Sequence, residues 1–393
     1  MLYIIEYIYI KIPYQDLQRI IIFSIFDILK LSISPKNMNE YNSRRDFLKV
    51  SGLALSAGLI TNNIQAKNSK MEEVIIGHNS HKYRVKTGWG VLDAGKNPVN
   101  DCHEMVEDAK GRLILCTNET KNNILIYDKS GKLLESWGTT YSGAHGLTIA
   151  NEGAEQFLYL ADNARHQVIK LDLKGKEIMK LEYPKETGVY DSPNQFIPTE
   201  TAINPANGDI YVADGYGLNY ITQYDAKGKY IRHFGGKTAD GSYADNKFNC
   251  SHGVLVDTRD KNNSTLLVTD RNHQCLKRFT LDGKFLAVYN YPGTYICRPV
   301  LHGENIFAAA YHSGDASWNN SGYIQVIDKD MKVISTPGGS EPIYQNGKLI
   351  RQHNDHPNTV FMNPHDVYVD SDENVYVPQW NSKKTYPVKL ERV

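Results

Sequence analysis

One phrase recurs six times in this chain and limits its fold more than any other feature. At Ser251 it reads SHGVLVDTRDKNNSTLLVTDR: an apolar strand, a polar turn, and a second apolar strand ending in Thr269-Asp270-Arg271. Other copies begin at Cys102 (CHEMVEDAKGRLILCTN), Ala144 (AHGLTIANEGAEQFLYLADN), Pro198 (PTETAINPANGDIYVADGY), Cys297 (CRPVLHGENIFAAAY) and Pro364 (PHDVYVDSDENVYVPQWN). A third strand closed by a tight turn usually follows, as in ILIYDKSGK, VIKLDLKGK, ITQYDAKGK and LKRFTLDGK. Alternating apolar residues before Asp/Asn/Gly turns are the hairpin signal. A fourth strand often ends near Trp-Gly or Phe-Gly, as at Trp137 and Phe234. Each such unit has two open faces and cannot bury them alone, so the units must stack. The fold class is all-β, a six-bladed β-propeller over residues 67–393. A strand near Val74 to Val85 is expected to complete the last blade and close the ring.

The residues before this ring differ in character. Arg44-Arg45, the uncharged run from Val50 to Ile60, and Ile64-Gln65-Ala66 form the pattern of a twin-arginine export signal over residues 38–66. The run is too short to span a bilayer, which takes about 20 residues. The expected partner is therefore the twin-arginine translocase, with a periplasmic or extracellular product and no stable membrane span in the mature chain. Residues 1–37 are apolar but broken by charges, and translation is expected to start at Met38. Basic and acidic side chains balance at 44 each, which leaves no excess to drive nucleic-acid binding. Five cysteines (Cys102, Cys116, Cys250, Cys275, Cys297) are too few for a disulfide scaffold.

The first strand of a propeller blade lines the central channel. Aligned on the repeat, the channel-mouth positions are His103, His145, Thr199, His252, Arg298 and His365. Blades two, four and six thus each supply a histidine, about 120° apart round the axis. Three neutral imidazole nitrogens with an open fourth position are the ligand set of a catalytic zinc. His103 and Arg298 would stand behind these ligands as supporting residues. Tyr216 and Arg271, at the ends of second strands, would reach a substrate. Tyrosine could act as a base if its pKa is pulled down, and arginine could fork onto a carboxylate.

From about Ser136 to Trp380 the chain resembles the peptidyl-α-hydroxyglycine α-amidating lyases, which are propellers of the NHL-repeat kind. AHGLTI, PTETAINPANGDIYVADGY, SHGVLVD with VTDRNHQ, and NPHDVYVD carry the resemblance. It implies zinc on His145, His252 and His365, with Tyr216 as base and Arg271 beside it. It also implies a structural calcium on the Asp366 carboxylate and the Leu147 carbonyl. The implied reaction cleaves a carbinolamide C–N bond in a small-molecule or peptide substrate, giving an amide and glyoxylate. The family's disulfide after the tyrosine has no counterpart, because position 217 is glycine. The alternatives are a non-catalytic NHL-repeat binding propeller and a lactonase-like propeller hydrolase.

Overall fold

In this computed structural model residues 73–314, 320–355 and 360–393 are described. The expectations for residues 1–66 lie outside them. Six antiparallel sheets follow one another along the chain, five of four strands and one of five. The innermost strands are Cys102–Glu107, Ala144–Glu152, Glu200–Ile203, Ser251–Asp257, Thr294–His302 and Tyr368–Val369, for blades one to six. Each packs beside the innermost strand of a neighbouring blade, so the six stand round one axis. Among the described residues, helix is limited to single 3-10 turns such as Arg271–His273.

The ring closes as the sequence suggests, with one strand more. His81–Lys86 pairs antiparallel with Val388–Arg392, and Ile75–His78 adds outside it. Blade six thus joins both ends of the described chain, so the ring cannot open without breaking a sheet. A short hairpin, Tyr344–Gln345 with Lys348–Leu349, sits between blades five and six, turned by Asn346-Gly347, a hairpin signal outside the repeat.

The core is divided among the gaps between blades. Ile114, Ile124 and Ile126 of blade one meet Leu147, Leu158 and Ile169 of blade two in one buried cluster. Tyr159 and Val168 meet Ile210 and Val212 in the next. The same pattern continues round to Tyr376 against Met105 and Leu115, where blade six meets blade one. Burial therefore holds blade to blade rather than stabilising any blade alone. The middle strands are wholly buried, as in Leu113–Thr117, whereas outer strands such as Leu133–Trp137 are largely exposed.

The recurring Asp-x-x-Gly-Lys turns have a local cause. Asp128, Asp172 and Asp225 each accept two backbone N–H groups, from the residues two and four further on. An aspartate that fastens its own turn in this way fixes hairpin register.

Candidate metal centre and active site

The innermost strands are interrupted where they reach the channel. In blade one the pairing skips from Cys102 to Glu104, and in blade two from Ala144 to Gly146. In blade four it skips from Ser251 to Val254, and in blade five from Ile296 to Pro299. These are β-bulges, which release residues from the ladder and re-aim their side chains. His103, His145 and His252 all sit at them.

The residue after the histidine explains the His-Gly pair. A Cβ on Gly146 would lie 2.5 Å from the Thr199 carbonyl oxygen, and one on Gly253 2.5 Å from that of Cys297. Glycine lets the next blade come close enough for the imidazole to bond to that same carbonyl. His145 Nδ1 lies 2.8 Å from Thr199 O, and His252 Nδ1 2.9 Å from Cys297 O. His365 Nδ1 lies 3.1 Å from His103 O. With Nδ1–H donated to a carbonyl, each ring keeps its Nε2 lone pair free for a ligand.

The rings of His145, His252 and His365 lie 4.7–5.0 Å apart, centroid to centroid. The Tyr216 hydroxyl bridges two of them, 3.2 Å from His145 Nε2 and 3.0 Å from His252 Nε2. His365 Nε2 is buried with no hydrogen-bond partner among the described residues. Burial holds all three imidazoles well below their ordinary pKa, so they are neutral, as ligation requires. A buried nitrogen without a partner, in a group of neutral imidazoles with oriented tautomers, fits a borderline cation such as zinc.

His103 takes part more closely than a supporting residue would. Its ring lies 4.4 Å from that of His145 and 4.7 Å from that of His365. Ligand atoms of His103, His145 and His365 lie within 4.8 Å of one another, and so do those of His252, Cys297 and His365. Burial pushes the His103 imidazole down to about 3, and its carbonyl also orients His365.

Blade five corrects the sequence alignment by one residue. Carbonyls of Thr199, His103 and Cys297 play equivalent parts toward the three imidazoles, so Cys297, not Arg298, occupies the histidine register. Both residues fall within the bulge, which hides the offset from strand periodicity. Arg298 belongs one layer down, with Glu104, Glu200 and Asp366. Its Nε and Nη2 reach the two Asp366 oxygens at 2.6 and 3.0 Å. Its Nη1 lies 3.0 Å from Glu104 Oε2, 3.2 Å from Glu200 Oε2 and 3.4 Å from Leu147 O. The Asp366 carboxylate and Leu147 carbonyl, expected on calcium, are thus both engaged by a guanidinium.

Tyr216 and Arg271 come from equivalent turns of blades three and four. Asp214 Oδ1 accepts from Ile197 N, and its Oδ2 from Leu218 N and the Tyr190 hydroxyl. In blade four Asp270 accepts from Asn249 N, His273 Nδ1 and the fully buried Lys277 ammonium. The Arg271 guanidinium lies between the rings of Tyr311 and Tyr216, 4.7 and 5.4 Å from their centroids. Among the described residues it pairs with no carboxylate, and its Nε is buried without a hydrogen-bond partner. Desolvation pushes the Tyr216 phenol up to about 12, with Arg271 pulling the other way. Sequence reasoning missed Tyr311, His312 and Lys277. The first two follow Ala310, which stands where Asp214 and Asp270 stand in other blades, and Tyr311 shares the register of Arg271, so the repeat register was the available signal.

All five cysteines are free and buried. Among the described residues no helix is long and apolar enough to cross a membrane.

No family profile matches the chain. Peptidylglycine alpha-amidating monooxygenase of Rattus norvegicus is 28% identical over 262 residues, which are 65% of this chain and 24% of that protein. Peptidyl-alpha-hydroxyglycine alpha-amidating lyase 1 of Drosophila melanogaster is 28% identical over 278 residues, 65% of this chain and 46% of that one. The chain therefore spans from a quarter to a half of the length of these relatives. A solved gluconolactonase from Xanthomonas campestris shares the fold, with a TM-score of 0.53 at 11% identity, covering 81% of this chain and 95% of that one. The chain is a six-bladed β-propeller related in sequence to the amidating lyases and to the monooxygenases named with them.

Proposed function

We propose that this propeller is a metal-dependent carbon–nitrogen lyase acting on a carbinolamide that bears a carboxylate, of the peptidyl-α-hydroxyglycine type. The observation that carries this reading is the trio of imidazoles, each with Nδ1 tied to a neighbouring blade, two of them bridged by the Tyr216 hydroxyl. The Nε2 atoms of His145, His252 and His365 would hold zinc. When bound there, zinc supplies Lewis acidity toward a substrate oxygen and a positive charge opposing the desolvation that raises Tyr216.

The chain's own groups do the rest. Arg271, held over two tyrosine rings with its Nε unpartnered among the described residues, takes the substrate carboxylate. Tyr216 accepts the proton of the carbinol hydroxyl. The O–H electron pair becomes the new C=O bond, the C–N bond breaks, and the nitrogen takes the proton back from Tyr216. The products are a primary amide and glyoxylate, with no other reactant consumed. The Asp214 and Asp270 turns hold base and anchor at fixed heights, and such positioning is where much of a barrier is lost. Export through the twin-arginine translocase belongs to the same proposal and rests on the pattern in residues 38–66.

Metal analysis of protein purified from residue 67 onward, together with glyoxylate release from an α-hydroxyglycine peptide, tests the proposal. One zinc per chain and release at a rate that Tyr216→Phe lowers by at least about 100-fold are expected. Zinc without release would overturn the reaction. Absence of any bound metal would leave a binding propeller.

A further inference from the structure

Arg298 supplies the one positive charge in a layer of three buried carboxylates. Glu104, Glu200 and Asp366 are at most 1% exposed and come from blades one, three and six, while Arg298 comes from blade five. Other donors complete the set without a metal. Met105 N donates to Asp366 Oδ2 at 3.0 Å, Leu147 N to Glu104 Oε2 at 2.5 Å, and Thr201 N to Glu200 Oε1 at 2.7 Å. The resemblance implied a calcium on the Asp366 carboxylate and the Leu147 carbonyl, and these residues as arranged do not fit one. The fork of Arg298 covers both Asp366 oxygens and reaches the carbonyl. A calcium ion needs six to eight oxygens at about 2.3–2.6 Å, and the space they would surround is filled by nitrogen donors.

We infer that Arg298 is the resident cation of this layer, and that the propeller is fastened across four blades by a guanidinium where a divalent ion would otherwise be required. The physical exchange is specific. A planar guanidinium offers five donors in fixed directions, is always charged, and travels with the chain. A divalent ion would have to be captured from solution and could be lost to a chelator. The ring would then be independent of calcium, and removing the guanidinium would leave three carboxylates and a carbonyl facing one hole. That residue set, with Arg298 gone, is an oxygen-only site suited to a hard cation.

The inference does not rest on the catalytic reading, because its readouts are metal content and melting temperature. Thermal unfolding of the wild type and Arg298→Ala would be followed with zinc equimolar to protein, first without calcium and then with calcium at about 5 mM, above the affinity range of weak calcium modules. The wild type is expected to purify without calcium and to melt within about 1 °C of the same temperature in both conditions. Arg298→Ala is expected to melt about 5–10 °C lower without calcium, as loss of a buried pairing charge requires, and to regain at least half of that with it. Should Arg298→Ala fail to fold, Arg298→Lys keeps one charge and is expected to melt lower than wild type with no response to calcium. Stoichiometric calcium in the wild type, or a wild-type melting temperature that rises with calcium, would overturn the inference. So would an Arg298→Ala protein as stable as wild type and indifferent to the ion.

Discussion

Two adjacent layers of the channel are built on one repeat and end in opposite states. The upper layer takes one residue from each blade: His103, His145, Thr199, His252, Cys297 and His365. The lower takes the next residue: Glu104, Gly146, Glu200, Gly253, Arg298 and Asp366. In the lower layer every carboxylate accepts from donors within the chain, and the guanidinium touches all three. In the upper layer the rings are neutral, the Nδ1 atoms of His145, His252 and His365 are spoken for, and His103 Nδ1 and His365 Nε2 are buried without a partner among the described residues. A satisfied polar set fastens a structure, whereas an unsatisfied one at full burial asks for a ligand. The comparison therefore separates what holds the ring from what works in it.

The sharpest way to break it is His252→Ala. In the upper layer this should remove metal retention and lower glyoxylate release by at least about 1,000-fold, roughly 4 kcal/mol of barrier. The metal-free protein should lose only about 1–2 kcal/mol, the cost of one orphaned carbonyl at Cys297. Zinc content, turnover and urea midpoint on one preparation give all three numbers. A variant that unfolds outright would show that the imidazole holds the ring, and the division between layers would fail.

The converse change is in the lower layer. Asp366→Ala removes both acceptors of the Arg298 fork and leaves the guanidinium short of charge. Breaking a buried pair from one side costs about 3–5 kcal/mol, here read as a lower urea midpoint with zinc still bound by the adjacent His365. Gly253→Ala tests the contact joining the layers. Its Cβ would meet the Arg298 Cα and the Cys297 carbonyl oxygen at 2.5 Å, both backbone atoms that cannot swing aside. About 1–3 kcal/mol of overpacking cost is expected, together with weaker zinc retention as the His252 Nδ1 bond lengthens.

How much of this could be read from the chain depended on which residues carry the period. The blades were legible because every strand repeats its apolar pattern, and so was closure, since Val74 to Val85 lies outside the six repeats and the last blade lacked an outer strand, though its own hairpin was not foreseen. The histidines were legible by register, because His-Gly or His-Asp opens the strand in blades two, four and six. Blade five was misaligned by one residue: a bulge there holds two residues against one, and Arg298 was the more conspicuous of the pair. The Arg298 cluster was not legible, since its four charges lie in four blades and no local spacing links them. Tyr311 and His312 were missed for another reason. Their strand is apolar from Ile306 to Ala310 and lacks the Asp that marks the strand end in blades two, three and four, and its apolar pattern does not say that its end leans over Arg271.

An effect that vanishes at neutral pH lies at that strand end. His312 is stacked on Tyr295, with ring centroids 3.8 Å apart, and lies 4.3 Å from the Tyr311 ring. Burial first, and then the charge of Arg271, push its imidazole down to about 4 from an ordinary 6.5. The folded state therefore refuses a proton that the unfolded chain accepts. Above pH 6.5 both states are neutral and the shift contributes nothing. As pH falls from 6.5 toward 4 the unfolded state gains the proton alone, and stability declines by at most about 1.4 kcal/mol per pH unit. Below about 4 both states carry the proton and the loss levels off. His312→Asn removes the titration while keeping a planar polar group, so the stability difference between wild type and variant should shrink with falling pH across that window. A difference that stays flat from pH 7 to 4 would mean that the ring is more open to water than its stacking implies, and that the roof over Arg271 is looser than the floor formed by Arg298.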